Sequence, residues 1–330
     1  MLPAMTTLRS GDYYENYHGH WPEHLAAVDE ALRSNGKKRV FFVGDSTLDN
    51  KHWFFDLTRE KGPQVGESND FTAPCLPSYR GAFVAGHDRM VKDVAYHTTS
   101  SLEGMGVPYA ALNCAVEEST VGERRDGSPY GQDDFVRGAM TSDDYLAVSM
   151  GGNDIALKPT VGVIAEMALV TRFASDGWLS PLYRAGLWSL TRRFASGTER
   201  YLRRMMAEGE GAEGGNRRPR GILVCALYYP CERGSGWADP TLRVIGYDDD
   251  PDPVQGIIRS VWDGVAETVA AKFPDVPVRQ VKFYEALDPK DARDYEKRVE
   301  PSVRGGAKMG RVIAEAIRDM EEKKKGEYVR

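Results

Sequence analysis

A chain of 330 residues is long enough to bury a substantial core, as one large α/β domain or two small ones. With 41% hydrophobic and 28% charged residues it reads as an ordinary globular protein, and a net charge of −6 argues against an electrostatic nucleic-acid binder, which would be basic. No apolar run reaches the roughly 18 residues of a membrane-spanning helix, and residues 1–16 lack the charged start and apolar stretch of a secretion signal. The four cysteines (Cys75, Cys114, Cys225, Cys231) form no CxxC pair, so reduced thiols and a cytoplasmic location are expected.

Residues 21–34 are predicted helical: Trp21-Pro22 opens the segment, Leu25, Val28 and Leu32 share a face, and Asn35-Gly36 closes it. The short apolar run 39–43, stopped by Gly44, has the pattern of a strand buried on both faces. Further runs of this kind lie at 107–113, 145–150, 221–229 and 276–284. Between and after them, helical periodicity marks 160–173, 184–206, 253–272 and 307–324. Strands alternating with helices imply a parallel sheet covered on both faces. Residues 1–330 are read as one domain, with 155–206 a candidate helical cap and the Gly- and Arg-rich stretch 207–220 a flexible loop.

In such a sheet, ligands bind beyond the carboxyl ends of the strands, so the residues just after each strand carry the functional information. The first strand is followed by Gly44-Asp45-Ser46 and the third by Gly151-Gly152-Asn153-Asp154. Either motif alone is ordinary turn chemistry. Together, at the ends of those two strands, they point to a nucleophile site.

These motifs resemble those of the SGNH/GDSL hydrolases, over most of the chain. The resemblance implies a three-layer α/β/α fold of flavodoxin type with a mainly parallel five-stranded sheet and an extra helical insertion. It also implies roles: Ser46 as nucleophile, with Asn153 and the Ser46 N–H donating to the oxyanion, and Asp45 and Gly152 close by. Donors of this kind each contribute about 3–4 kcal/mol to the transition state. Where the family has a glycine N–H, alignment on Asn113 puts Glu118, whose backbone can still donate.

The family's Asp-x-x-His block has no counterpart here. Aligned on Asp294 the histidine slot holds Lys297, and aligned on the following Pro-Ser it holds Glu300; all six histidines lie before residue 100. Glu300 would need burial to raise its basicity, and Lys297 would need desolvation or a neighbouring cation such as Arg298. His52 lies roughly 9 Å along a helix from Ser46 and off its face. His87 and His97 fall in a loop-rich segment that could fold over the site. Without a histidine to orient, Asp294 is expected to pair with a cation.

Phe173, Trp178, Leu179, Leu182, Tyr183, Leu187 and Trp188 either pack the insertion onto the sheet or line an apolar pocket. The run 247–252 (YDDDPD) lacks calcium-loop spacing and reads as a solvated loop before a helix. The expectation is a serine-dependent hydrolase of a small ester or other acyl substrate with a non-histidine base. No cofactor, metal or nucleic-acid partner is expected. The alternatives are an acyltransferase on the same site, or an impaired homologue that binds without turnover.

Overall fold

The computed structural model describes residues 8–54, 71–125, 127, 130–174, 180–207 and 218–328. Strands run in chain order β1 (Lys38–Gly44), β2 (Thr72–Pro74), β3 (Arg89–Val91), β4 (Tyr109–Asn113), β5 (Tyr145–Ser149), β6 (Gly221–Ala226), β7 (Val278–Lys282), β8 (Tyr295–Glu296) and β9 (Glu300–Pro301). The five apolar runs of the sequence are β1, β4, β5, β6 and β7. They pair in parallel in the order β4-β1-β5-β6-β7, which is the doubly wound order of flavodoxin-like sheets.

Near-continuous apolar sequence in these strands follows from burial on both faces. Val40 and Phe42 of β1 enter one core, Phe41 and Val43 the other. Strand β7 is an edge and alternates in burial, with Arg279 exposed. The principal helices are α1 (Pro22–Ser34), α2 (Val94–Gly104), α3 (Gly152–Ala156), α4 (Val161–Arg172), α5 (Pro181–Met205), α6 (Asp239–Val244), α7 (Asp252–Lys272) and α8 (Val303–Tyr328). Helices α2 and α8 cover one face of the sheet through Val94, Leu102, Met309, Ile313 and Ile317. On the other face, α1, α5 and α7 contribute Leu25, Val28, Leu190, Phe194, Val261 and Trp262.

The segment holding His97 is not loop-rich as the sequence suggests. It is helix α2, capped by Asp93, whose side chain accepts from the Tyr96 N–H. Its buried face includes Thr98 and Thr99, and these hydroxyls hide the apolar period. Each is satisfied internally, Thr98 by donating to the Val94 carbonyl and Thr99 by accepting from the Ala111 N–H.

Within the insertion, α5 is the crossover helix from β5 to β6. It buries Leu187, Leu190 and Phe194, and the Phe194 ring stacks on Trp262 of α7 with centroids 5.3 Å apart. Thr160 and Ser180 cap α4 and α5. Most of the Gly- and Arg-rich stretch (208–217) lies outside the described residues. Among the described residues no helix is long and apolar enough to cross a membrane. All four cysteines are free thiols.

Candidate active site

The loop after β1 is built by close approach to the end of β5. Gly44 has φ +120°, and a Cβ there would lie 1.7 Å from the Ser149 carbonyl oxygen, so only glycine fits. The Gly44 carbonyl accepts from Ser119 Oγ (3.0 Å) and from the buried Arg124 guanidinium (3.0 Å). Asp45 then joins the two loops. Its Oδ2 accepts from the N–H groups of Gly151 (3.0 Å) and Gly152 (3.1 Å), and its Oδ1 from the Thr47 N–H (3.1 Å). Burial pushes the Asp45 carboxyl up to about 6, against the pull of the Thr47 and Gly152 donors. Its role is architectural: it holds Ser46 and Asn153 on a common frame.

Ser46 is 8% exposed and lines a cavity of about 80 Å³ together with Gly152, Asn153 and Glu300. Among the described residues, no group hydrogen-bonds its hydroxyl or its backbone N–H. Asn153 projects from the first turn of α3, after Gly151 at φ +114°. Its Nδ2 donates to the Ser119 carbonyl across 3.1 Å, which orients the amide and leaves its second hydrogen available.

Glu118 lies in the loop after β4 in a conformation that favours glycine. Its φ is +60°, a left-handed backbone that costs a non-glycine residue about 1 kcal/mol. Its N–H has no partner among the described residues. The carboxylate accepts from Tyr17 Oη (2.9 Å) and lies 3.6 Å from Lys158 Nζ, which also donates to the Glu118 carbonyl (3.1 Å). That cation balances the charge, and the side chain is absent from the lining of the Ser46 cavity.

Glu300 arrives on the hairpin β8–β9, whose turn carries two successive left-handed residues, Lys297 (φ +45°) and Arg298 (φ +73°). The hairpin is fixed at two points. Asn50, four residues past Ser46, donates to the Pro301 carbonyl (3.1 Å), while the Arg298 guanidinium bonds the Cys231 carbonyl, Asp239 and Asp248. Arg298 is therefore engaged by acids, one of them from the acidic run 247–252. The Glu300 Oε1 accepts from Trp237 Nε1 (3.2 Å) and its Oε2 is buried without a partner.

The neighbouring carboxyl is Glu117, also buried with an unpartnered Oε2. Burial raises both carboxyls well above the ordinary glutamate range, and the charge of Glu300 raises Glu117 further. Two carboxyls in one dry region cannot both ionise at low cost, so both shifts favour the protonated form. The buried Asp49–Lys51 ion pair (2.8 Å) stands nearby; the Asp49 charge raises Glu117 and the Lys51 charge lowers it.

The other sequence candidates lie elsewhere. Lys297 is half-buried and does not line the cavity. Asp294 is fully buried, accepts from the Asp288 N–H (3.1 Å), pairs with Lys308 and lies 3.5 Å from Arg304. No histidine lines the cavity. His97 is held between α2 and α8, lowered to about 4 by burial and by Lys92. His52 sits edge-on to Tyr17 at 4.3 Å. Of the insertion's aromatic and leucine set, Phe173, Leu182, Tyr183, Leu187 and Trp188 are absent from the lining, and Trp178 and Leu179 lie outside the described residues. Ile155, Ala156 and Met167 stand there instead.

Sequence reasoning missed Glu117, Trp237 and Asn50. Glu117 had a signal, being adjacent to Glu118 in a loop already marked. Trp237 had none, because its link to Glu300 spans 63 positions.

No protein-family model matches the sequence. No curated protein matches it either. Among solved structures, the chain is similar to the carbohydrate acetylesterase Est24 from Sinorhizobium meliloti, at 12% identity and TM-score 0.43, covering 86% of this chain and 100% of that one. It is also similar to an extracellular lipase from Streptomyces rimosus, at 12% identity and TM-score 0.40, covering 84% and 99%. A member of the lipolytic G-D-S-L family from Veillonella parvula gives 12% and TM-score 0.38, covering 85% and 98%. The order β4-β1-β5-β6-β7, with Ser46 and Asn153 just beyond β1 and β5, is that of a flavodoxin-like doubly wound fold with its candidate site at the strand ends.

Proposed function

We propose that the chain is a serine ester hydrolase in which Glu300 takes the place of histidine as the base. The observation that carries this reading is that Ser46, Asn153 and Glu300 line one cavity. Ser46 Oγ attacks the acyl carbon while its proton passes to the ionised Glu300 carboxylate, directly or through one water. Asn153 Nδ2 and the open N–H groups of Ser46 and Glu118 receive the oxyanion. On collapse, Glu300 returns the proton to the leaving alcohol. Water then attacks the acyl-Ser46 ester, with Glu300 accepting and returning a proton, and the acid departs.

Burial supplies the basicity that an ordinary glutamate lacks, and the Trp237 donor favours the ionised form of Glu300. An alcohol acceptor in place of water would make the same site an acyltransferase. The reading of a non-turnover binder draws on one observation, the Ser46 hydroxyl without a hydrogen-bonded base. The test is labelling by a fluorophosphonate, with hydrolysis of short p-nitrophenyl esters, in wild type, Ser46→Ala and Glu300→Gln. Labelling and turnover that vanish in Ser46→Ala support the proposal. Their absence in the wild type across pH 6–10 sinks it and favours the binder.

A further inference from the structure

A cavity of about 380 Å³ lies between α3, α4, α5 and the short helix Val121–Arg125, and it shares no lining residue with the Ser46 cavity. Close approach of α5 to the short helix forms it: a Cβ at Gly197 would lie 2.1 Å from Val121 Cγ1. Its floor is apolar, from the buried Val121, Val163 and Phe194. Its edge is basic. Ser189, Arg193, Ser196 and Arg200 follow at helical spacing along one face of α5, with Arg192 beside them.

One of the three guanidinium groups is balanced. Arg193 donates to Glu166 through Nη2 (2.8 Å) and Nε (3.1 Å), and Ser189 Oγ donates to the same carboxylate (2.7 Å). Arg192 meets the Trp188 ring at 5.2 Å, and among the described residues neither it nor Arg200 makes an ion pair or a hydrogen bond. The carboxyl in the lining, Asp154, is turned to the protein and accepts from the N–H groups of Val121 (2.8 Å) and Gly122. Thr160 Oγ1 accepts from the Val163 N–H (3.3 Å), which leaves its own hydrogen for a ligand. A chain of net charge −6 thus holds two guanidinium groups without acids at the edge of an apolar cavity.

We propose that this cavity is a second ligand site, and that it binds a phosphate monoester of a small apolar group. A phosphate pairs with planar guanidinium forks, each of which can bond two of its oxygens at once. Arg192 and Arg200 stand eight residues apart, roughly 12 Å along α5, a span that two arginine side chains can close around one anion. The Thr160 hydroxyl supplies a further donor. The cavity is larger than a phosphate needs, and its floor of Val121, Val163 and Phe194 receives an alkyl or aryl remainder. The site is separate from the Ser46 cavity, so it stands whether or not Ser46 is a nucleophile.

Calorimetric titration of the full chain with phenyl phosphate and with inorganic phosphate tests it. Phenyl phosphate should bind about tenfold more tightly than inorganic phosphate, because its ring adds apolar burial. Arg192→Gln and Arg200→Gln should each raise the phenyl phosphate Kd about tenfold or more, by removing one charge-assisted fork. Both side chains are exposed, so the variants retain the fold. Arg279→Gln removes the same charge from an exposed position on β7, and at roughly 0.15 M salt it should leave Kd within about twofold. Binding weakened by the Arg192 and Arg200 variants and kept in Arg279→Gln supports the site. No binding of phenyl phosphate, an equal loss in all three variants, or indifference to either arginine overturns it. Inorganic phosphate binding as tightly as phenyl phosphate would overturn the assignment to a monoester.

Discussion

Trp237 Nε1 donates to Glu300 Oε1 across 3.2 Å, and among the described residues this is the one hydrogen bond the Glu300 carboxyl makes. A donor to a carboxylate favours its ionised form, so Trp237 holds Glu300 lower than burial alone would. Trp237→Phe keeps most of the ring in the cavity wall and removes the donor. The Glu300 value rises, the carboxylate appears later in a titration, and the acid limb of kcat/KM moves to higher pH by about one unit. A pH profile of the variant against wild type checks this, and an unmoved limb counts against Glu300 as the base.

Glu300→Gln preserves the shape and the Trp237 bond but cannot accept a proton. Turnover of a short ester should fall by about a hundredfold or more, and the acid limb should disappear. Lys297→Ala should leave kcat/KM within about threefold, since that side chain does not line the cavity. Steady-state kinetics of the two variants separate the two candidate bases.

Glu117 links site chemistry to stability. Its carboxyl is raised in the folded protein above the ordinary value of 4.5. The folded state therefore binds the proton more tightly than the unfolded chain. The resulting stability is complete below about pH 4.5 and is lost as pH rises through the folded value. Glu117→Gln removes that loss. Its Tm should exceed wild type at pH 8 and approach it near pH 4, by differential scanning calorimetry. A constant Tm difference over that range would show that no buried proton is held there.

In the proposed mechanism, Asn153→Ala removes the side-chain donor to the oxyanion while the backbone donors of Ser46 and Glu118 remain. A fall in kcat of about 10²–10³ with little change in KM is expected, because the donor acts on charge that develops in the transition state. An equal loss in KM would assign Asn153 to ground-state binding instead.

Gly44→Ala tests the frame. The added methyl would stand 1.7 Å from the Ser149 carbonyl oxygen, in a backbone at φ +120°. The ends of β1 and β5 would have to separate, breaking the Asp45 bonds to Gly151 and Gly152. The variant should be recovered unfolded or aggregated, with the native far-ultraviolet circular dichroism lost.

What the sequence determined by itself is local. Five apolar runs marked the strands: four are buried along nearly their whole length and have no alternation to obscure, while the edge strand β7 is only partly buried. Ser46 and Asn153 were legible because each follows its strand within a few residues, and strand ends in a doubly wound sheet converge whatever lies between them. The acids were a different matter. Glu117 and Glu118 are adjacent, yet the left-handed backbone at Glu118 sends one carboxyl to Lys158 and buries the other. Lys297 and Glu300 compete for one slot in the sequence, and the hairpin turn with the Asn50–Pro301 bond carries only Glu300 into the cavity of Ser46. A carboxyl's basicity depends on what desolvates it. Here those neighbours come from 117, 237 and 300, so only the tertiary structure could decide which acid stands beside the serine.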